Sequence, residues 1–269
     1  MALLELEGVH TYIGEYHILQ GVSLAVPEGS ITVLLGRNGA GKTTTLRTVM
    51  GLTPARRGRL LFQGEEITSL PTHGVARRGI GYVPEDRGIF GGLTVEENLR
   101  VAVRRGDLPW QIRRRGPAGV KEPGGVKEPG GVKEPGGPGE PGGSLEARLE
   151  WMLSLFPDLA KAWRRQAGTL SGGQQQMLAI GRVLLSDNAL LIIDEPSKGL
   201  APVVVEHLGE ALRRIVAHTT VLLVEQNFGL AAAVGDGFVI MDDGRTVHQG
   251  AMSEILADPS LRQRYLGVA

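Results

Sequence analysis

The sequence predicts an α/β fold with a mixed sheet at its core, an antiparallel β part at the N-terminus and an inserted helical subdomain. Three short apolar runs without polar alternation support the core sheet: Ser30–Leu35, Leu190–Ile193 and Thr220–Val224. Such runs are typical of strands buried on both faces, as in parallel sheets. The first run ends at a glycine turn, and the helical pattern Lys42–Met50 follows it.

The chain ends add antiparallel strands to this core. Leu3–Tyr12 and Val22–Val26 have strand patterns, and Phe238–Met241 and Arg245–His248 flank an Asp-Gly turn at residues 243–244. An Asp-Gly pair between two such runs indicates a tight hairpin.

The middle of the chain predicts the helical subdomain. We expect residues 1–269 to form a single domain, with 1–93 and 186–269 as the core and 94–185 as the subdomain. Thr94 with Glu97 three residues later, and Ser144 before a run ending at Phe156, are helix-start signals.

Residues 116–143 differ in composition from their surroundings. The unit Gly-Val-Lys-Glu-Pro-Gly occurs three times in tandem, followed by further glycine and proline. Such a segment has too little apolar surface to offset its chain entropy. We expect a disordered insertion, either a tolerated surface loop or a docking segment.

Composition excludes some functions. Lys plus Arg and Asp plus Glu both number 29, and there is no Cys. Balanced charge does not favour nucleic acid as a partner, and disulfides and cysteine metal sites are impossible. The N-terminus lacks a signal-peptide pattern and the apolar runs are too short to span a bilayer. We therefore expect a chain that is soluble by itself and reaches a membrane only through a partner.

A phosphate-binding motif follows the first buried strand. Its residues match G-x-x-x-x-G-K-[ST], and the contact set extends one residue further: Gly36, Arg37, Asn38, Gly39, Ala40, Gly41, Lys42, Thr43 and Thr44. Inward backbone N–H groups and the helix N-terminus would bind phosphates, Lys42 would reach the β- and γ-phosphates, and Thr43 would bind Mg²⁺. The alternative is an ordinary glycine-rich turn, and the motif alone does not separate kinases, GTPases and other NTPases.

Two acidic residues follow the strand Leu190–Ile193. Asp194 would hold the Mg²⁺ hydration shell, and Glu195 would activate or position the water that attacks the γ-phosphate. Adjacent carboxylates need a nearby cation. The alternative is a strand that runs out into a polar turn.

A second glycine-containing motif, Leu170–Gln176, precedes the helical run Met177–Leu185. Ser171 and Gln174 have the spacing of a capping box. This pattern indicates either only a well-capped helix or a helix N-terminus exposed to bind a γ-phosphate.

The segment Leu170–Gln176 resembles the L-S-G-G-Q signature of ABC (ATP-binding cassette) ATPases. The phosphate motif, the signature and the Asp-Glu pair follow this family's order, and the resemblance covers the chain except the insertion. It implies the P-loop NTPase fold of ABC ATPases, ATP and Mg²⁺ as cofactors, and closure of the signature over ATP held by a second subunit. The cross-dimer contacts would be Ser171, Gly172, Gly173 and Gln174.

Three substitutions are similar to those in the second ATPase of branched-chain amino acid importers. Glu85 stands where most ABC proteins have Gln, Gln226 where most have His, and Ala201 where Asp is usual. The ATPases of urea and short-chain amide importers look much the same.

The resemblance also implies roles for single residues. Glu195 and Gln226 would be catalytic, and Glu85 would join Thr43 and Asp194 at the metal. Tyr12 would stack on the nucleotide base, although the family's aromatic usually directly precedes the glycine, where this chain has Ile13.

Partners follow from the same resemblance. A paralogous ATPase subunit, or a second copy of this chain, would complete the dimer. Two membrane permeases would bind it at the cytoplasmic face of the inner membrane, and a periplasmic or extracellular solute-binding protein would act indirectly. A soluble ABC ATPase acting on DNA or ribosomes is the alternative of a different class, and no nucleic acid is expected. The signature argues against a P-loop kinase or GTPase.

Overall fold

The computed structural model describes residues 1–103 and 144–267, so the predicted insertion at 116–143 lies outside the described residues. The chain divides into two compact units, Met1–Asp86 with Asn188–Ala269, and Arg87–Asp187. The helical section had been predicted at 94–185.

The strands and helices of the described residues are, in chain order, β1 (Ala2–Ile13), β2 (Tyr16–Pro27), β3 (Ile31–Leu35), α1 (Lys42–Val49), β4 (Ala55–Phe62), β5 (Glu65–Glu66), α2 (Thr72–Arg77), β6 (Ile80–Val83), α3 (Val95–Ala102), α4 (Leu145–Leu155), α5 (Pro157–Lys161), α6 (Gly172–Leu184), β7 (Leu190–Asp194), α7 (Pro202–Ile215), β8 (Thr220–Val224), α8 (Phe228–Val234), β9 (Gly237–Asp242), β10 (Arg245–Ala251), α9 (Met252–Ala257) and α10 (Pro259–Leu266).

The core sheet of the first unit is mixed, as predicted. Its strand order is β10-β9-β3-β8-β7-β6, with β10 antiparallel to β9 and parallel pairing from β9 to β6. Every residue of β3, β7 and β8 is buried. This burial explains why these strands appear in the sequence as uninterrupted apolar runs.

The N-terminal antiparallel sheet is also confirmed, in the order β2-β1-β4-β5. The sequence analysis did not predict β4. The first five residues of β4 include three arginines and a glycine and are mostly exposed, so they lack the apolar alternation that indicates a strand. Its second half buries Leu60 and Phe62 in the core.

The parallel register brings three chain segments to one edge of the core sheet. Val224 of β8 lies opposite Asp194 of β7 and opposite Leu34 of β3. The segments that follow these strands therefore meet at their carboxyl ends, where open α/β sheets bind ligands.

The described part of the second unit contains helices α3 to α6 and a short 3₁₀ helix at Ala167–Thr169. It begins at Arg87 rather than at residue 94 because the preceding loop is bonded within this unit. The N–H of Phe90 donates to the fully buried Asn98 (2.9 Å), and the N–H of Gly168 donates to the Gly91 carbonyl (2.9 Å).

The predicted helix starts of this unit are confirmed. Thr94 and Glu97 form a reciprocal capping box at α3, and the Ser144 side chain caps α4. None of the helices within residues 1–103 and 144–267 is both long and apolar enough to cross a membrane.

Candidate nucleotide site

The loop between β3 and α1 has the backbone of a phosphate cradle. Gly36 and Gly41 have φ angles of 143° and 101°, values that side chains rarely adopt. A Cβ on Gly36 would overlap the Met241 carbonyl oxygen, and one on Gly41 would lie 2.9 Å from Leu19 Cδ2. Gly41 is the N-cap of α1 and offers no side-chain cap, so the α1 N-terminus faces this loop without a side-chain acceptor.

Lys42 is buried beneath the loop. Its Nζ donates to the carbonyl oxygens of Gly36 (2.8 Å) and Arg37 (3.1 Å) and lies 3.9 Å from Glu195 Oε1. Burial lowers the pKa of Lys42, and the carboxylates of Glu195 and Asp194 oppose this shift. An ammonium group held this way can exchange weak carbonyl partners for phosphate oxygens.

Asp194 ends β7 directly below the same loop, at 1% exposure. Thr43 Oγ1 donates to its Oδ1 at 3.3 Å, whereas Oδ2 is buried and has no hydrogen-bond partner among the described residues. Burial raises the pKa of Asp194 to about 6, with a further contribution from the neighbouring carboxylate of Glu195.

These features of Asp194 and Thr43 fit a hard cation. An unpaired buried carboxylate oxygen next to a hydroxyl is a suitable partial ligand set for Mg²⁺, which commonly binds one or two carboxylates together with substrate phosphates. No group of three or more His, Cys, Asp or Glu within the described ranges could hold a metal by itself.

Glu195 has a strained backbone. Its φ of 46° places a non-glycine residue in the left-handed region, and its side chain is 9% exposed. Its N–H donates to the Val224 carbonyl at 2.9 Å, so the strand pairing continues one residue past β7. Strain of this kind persists only where the surroundings over-determine the conformation, and it concentrates at functional sites.

Gln226 links the three segments at this edge. Its Nε2 donates to Glu195 Oε1 and to Asn38 Oδ1, the latter at 2.6 Å. The structure thus brings together Glu195, Gln226 and the phosphate loop, which are far apart in the sequence. An amide here can donate to phosphate but cannot take up a proton near neutral pH.

Glu85, predicted as a metal ligand, is paired with a lysine in this structure. Lys198 Nζ lies 2.5 Å from Glu85 Oε1 and 3.7 Å from Glu195 Oε2. The hydrogen bond that Lys198 donates to Glu85 and the charges of Glu85 and Glu195 raise the pKa of Lys198. The cation that the acidic residues require is therefore supplied partly by Lys198 and Lys42, and Glu85 remains a predicted metal ligand that would first have to release Lys198.

The signature segment lies in the second unit and opens α6. Ser171 Oγ accepts from the Gln174 N–H (3.3 Å), and the Ser171 N–H donates to Gln174 Oε1 (3.1 Å). The predicted capping box is therefore present. The Arg87 guanidinium lies beside Gly172 and donates to Gln175 Oε1 at 2.9 Å.

The ring of Tyr12 contacts a histidine ring and an arginine guanidinium. His17 stacks on it with ring centroids 4.2 Å apart and an interplanar angle of 1°, and the Arg56 guanidinium carbon lies 4.7 Å from the ring centroid. Because β1 lies between β2 and β4, these two residues approach from opposite sides. Base stacking on Tyr12 stays a prediction that requires one of them to move.

Sequence reasoning missed two residues at this edge, Lys198 and Glu225. Neither received a role in the sequence analysis. The available signals were a lysine three residues after Glu195 and an acidic residue directly after the apolar run of β8.

The fold and this site together define a P-loop nucleotide hydrolase. The sequence matches the family model described as ABC transporter over residues 19–198. The chain therefore belongs to the ABC transporter family of ATP-binding cassettes, whose members bind nucleotide and couple ATP hydrolysis to transport.

Three relatives align with more than 90% of the chain. The chain is 36% identical over 266 residues to the high-affinity branched-chain amino acid transport ATP-binding protein BraG of Pseudomonas aeruginosa, covering 98% of this chain and 100% of BraG. It is 32% identical over 256 residues to a probable branched-chain amino acid transport ATP-binding protein, LivF, of Archaeoglobus fulgidus, covering 94% of each chain. It is also 31% identical to the lipopolysaccharide export system ATP-binding protein LptB of Escherichia coli, covering 93% of this chain and 91% of LptB.

Solved structures agree on the fold. The ADP conformation of an ATP-binding cassette of an ABC transporter superposes with a TM-score of 0.74 at 26% identity and covers 99% of both chains. A nucleotide-free cassette superposes with a TM-score of 0.75 at 24% identity, with 100% of both chains covered.

Proposed function

We propose that this chain is the ATPase subunit of an ABC importer for branched-chain amino acids. The observation that carries the ATPase chemistry is the convergence of Lys42, Asp194, Glu195 and Gln226 at the carboxyl ends of β3, β7 and β8. The similarity to BraG and LivF supports the solute class, because their names assign them to branched-chain amino acid transport.

ATP phosphates would bind in the Gly36–Thr44 loop, with Lys42 Nζ leaving the Gly36 and Arg37 carbonyls for phosphate oxygens. Thr43 and Asp194 would hold Mg²⁺, and Glu85 would join them once released from Lys198. When bound, the metal neutralises charge that develops on the transferring phosphoryl group. Asp194 must be ionised for this role, and a nearby cation favours that state.

Glu195 would orient the attacking water and accept its proton. Its carboxylate is restrained by the Gln226 amide and by the left-handed backbone at residue 195. Gln226 would donate from its amide to the γ-phosphate, and this contact strengthens as charge builds in the transition state.

The signature residues Ser171 to Gln174 would contact ATP held by a second subunit. The start of α6 carries N–H groups and a serine hydroxyl, the donors that suit a phosphate. A paralogous ATPase or a second copy of this chain would provide the facing site. Two permeases would bind this dimer at the cytoplasmic face of the membrane, with a solute-binding protein acting on the other side.

Substitution of Glu195 tests the proposal. Glu195→Gln should bind ATP normally but hydrolyse it at least about 10²-fold more slowly, since a positioned general base contributes roughly 10²–10⁴ in rate. ATP binding is measured by titration, turnover by phosphate release, and association by sizing with ATP, where the variant should accumulate as a dimer. Glu28→Gln, an exposed glutamate at the end of β2, is the matched control.

Wild-type turnover in Glu195→Gln would remove Glu195 from this role. The solute class is tested separately by ATP-dependent uptake of leucine, isoleucine and valine into vesicles that contain the whole transporter. Uptake of urea or acetamide in their place would favour the alternative importer class.

A further inference from the structure

A fourth carboxylate at this sheet edge, besides Asp194, Glu195 and Glu85, is assigned no role by the proposed hydrolysis. Glu225 directly follows β8 and is 1% exposed. Burial raises the pKa of Glu225, and the hydrogen bonds that it accepts from Ser197 and its own loop oppose the shift. A buried carboxylate is costly unless it is fully hydrogen-bonded.

The carboxylate of Glu225 accepts four hydrogen bonds. Oε1 accepts from the Ser197 N–H at 3.0 Å, and Oε2 accepts from the Ser197 hydroxyl at 2.8 Å. Oε2 also accepts from the N–H groups of Gln226 and Asn227, both at 3.1 Å. Both oxygens are thus used, and the donors come from two separate segments of the chain.

These two segments carry the catalytic pair. Ser197 lies two residues after Glu195, and Gln226 is the residue next to Glu225. Glu225 therefore joins the backbone that presents the base to the backbone that presents the amide. The side chains that these two segments present, Glu195 and Gln226, are also hydrogen-bonded to each other.

We infer that Glu225 is a positioning residue for ATP hydrolysis: it holds the Glu195 and Gln226 segments in one fixed arrangement. The inference rests on the proposed catalytic roles of that pair. It accounts for the φ of 46° at Glu195, which needs strong local restraint. A displacement of about 1 Å at a catalytic group can cost roughly 10²-fold in rate.

The geometry requires a carboxylate rather than an amide. A glutamine of the same shape has one acceptor oxygen and one NH₂ group. If its oxygen replaced Oε2, its NH₂ would face the Ser197 N–H, and donor would meet donor. If the amide were flipped, the NH₂ would face the N–H groups of Gln226 and Asn227. In the first orientation only the Ser197 hydroxyl still joins the two segments, and in the second both bonds from the Gln226 and Asn227 N–H groups are lost, so either orientation weakens the link.

The kinetic test compares Glu225→Gln with Ser197→Ala and Ser197→Thr. Glu225→Gln and Ser197→Ala should lower kcat about 10- to 100-fold while leaving the Kd for ATP within about 2-fold, because a positioning role acts on the reacting geometry and not on phosphate binding. Ser197→Thr keeps the hydroxyl donor and should retain most of the turnover. The double variant should be slower than either single variant, because each single variant can keep one of the two bonds between Ser197 and residue 225 and the double variant cannot keep the link to both segments.

Hydrogen exchange tests the link without reference to activity. In Glu225→Gln, amide exchange should accelerate in peptides spanning residues 195–198 and 226–228 and stay unchanged in β3 and β7. If Glu225→Gln does not fold, Ser197→Ala should show the same two accelerated segments. Uniform acceleration over the core, or a loss of ATP binding that matches the loss of turnover, would show a merely structural role and overturn the inference.

Failure of this inference and failure of the proposed function give different results. Full turnover and unchanged exchange in Glu225→Gln, with an inactive Glu195→Gln, would refute only the positioning role. Full turnover in Glu195→Gln would refute the proposed base itself, whatever Glu225→Gln does.

Discussion

The two glycine-containing helix starts of this chain, at α1 and at α6, differ in how their backbone donors are used. At α6, Ser171 and Gln174 satisfy each other's N–H groups in a closed capping box. At α1, the N-cap is Gly41 in the left-handed region and provides no side-chain acceptor. The sequence of α6 therefore stabilises the helix start by itself, whereas the sequence of α1 does not.

This difference indicates which site is complete within one chain. The donors at α1 are supplemented by a buried lysine, a hydroxyl and a buried carboxylate, so the proposed phosphate site draws on this chain alone. Among the described residues of its own unit, the α6 start has no comparable convergence except the Arg87 guanidinium beside Gly172. Its donors fit a ligand that is held mainly elsewhere.

The largest effect should come from substitution of Lys42, which removes a cation from the proposed phosphate site at α1. Lys42→Met keeps the aliphatic stem but removes charge-assisted bonds to two phosphates, each worth about 1.5–3 kcal/mol. ATP affinity should fall by at least about 10²-fold in a nucleotide titration. Lys161→Met, at an exposed lysine of the second unit that pairs with Asp158, is the control. An unchanged titration would refute the assignment of the phosphate loop.

Substitution of Ser171, at the start of α6, should lower ATP hydrolysis without lowering ATP affinity. Ser171→Arg should leave ATP binding by the monomer intact and abolish dimer-dependent hydrolysis, because a bulky cation would block the surface that we propose meets the facing site. Ser171→Ala removes only the cap, at about 1 kcal/mol of stability, and should show whether capping alone matters.

Specific ATPase activity measured against protein concentration, together with sizing, checks this expectation. A Ser171→Arg enzyme whose activity stays at the wild-type level and in strict proportion to its concentration would show that the α6 start takes no part in the site.

The smallest effect should come from Lys198. Lys198→Gln frees Glu85 from a solvent-exposed ion pair, and such pairs are worth about 0.2–1 kcal/mol. The Mg²⁺ concentration for half-maximal binding of a fluorescent ATP analogue should fall by about 2- to 5-fold, and Glu85→Gln should raise it. Lys161→Gln is the control. If the Mg²⁺ dependence were the same in all these variants, Glu85 would not be a metal ligand and would only pair with Lys198.

Much of the fold and of the candidate site could be predicted because the relevant signals are local. Strands β3, β7 and β8 are apolar along their length, and the helix starts carry recognisable capping residues. The phosphate loop is a contiguous motif whose glycines are required by local backbone conformation. Strand β4 could not be predicted, because its arginine-rich half is exposed and only its pairing with β1 makes it a strand.

The family, the phosphate-loop motif and the polar residues that follow the apolar runs of β3, β7 and β8 can be identified from the amino-acid sequence alone. Which of these residues contact each other depends on how the strands pair. Lys198 pairs with Glu85 across 113 residues, Gln226 reaches Asn38 across 188, and Glu225 bonds Ser197 across 28. These contacts depend on the order β3-β8-β7-β6, which places distant strand ends side by side. No local pattern specifies that order, because each buried strand has nearly the same apolar sequence.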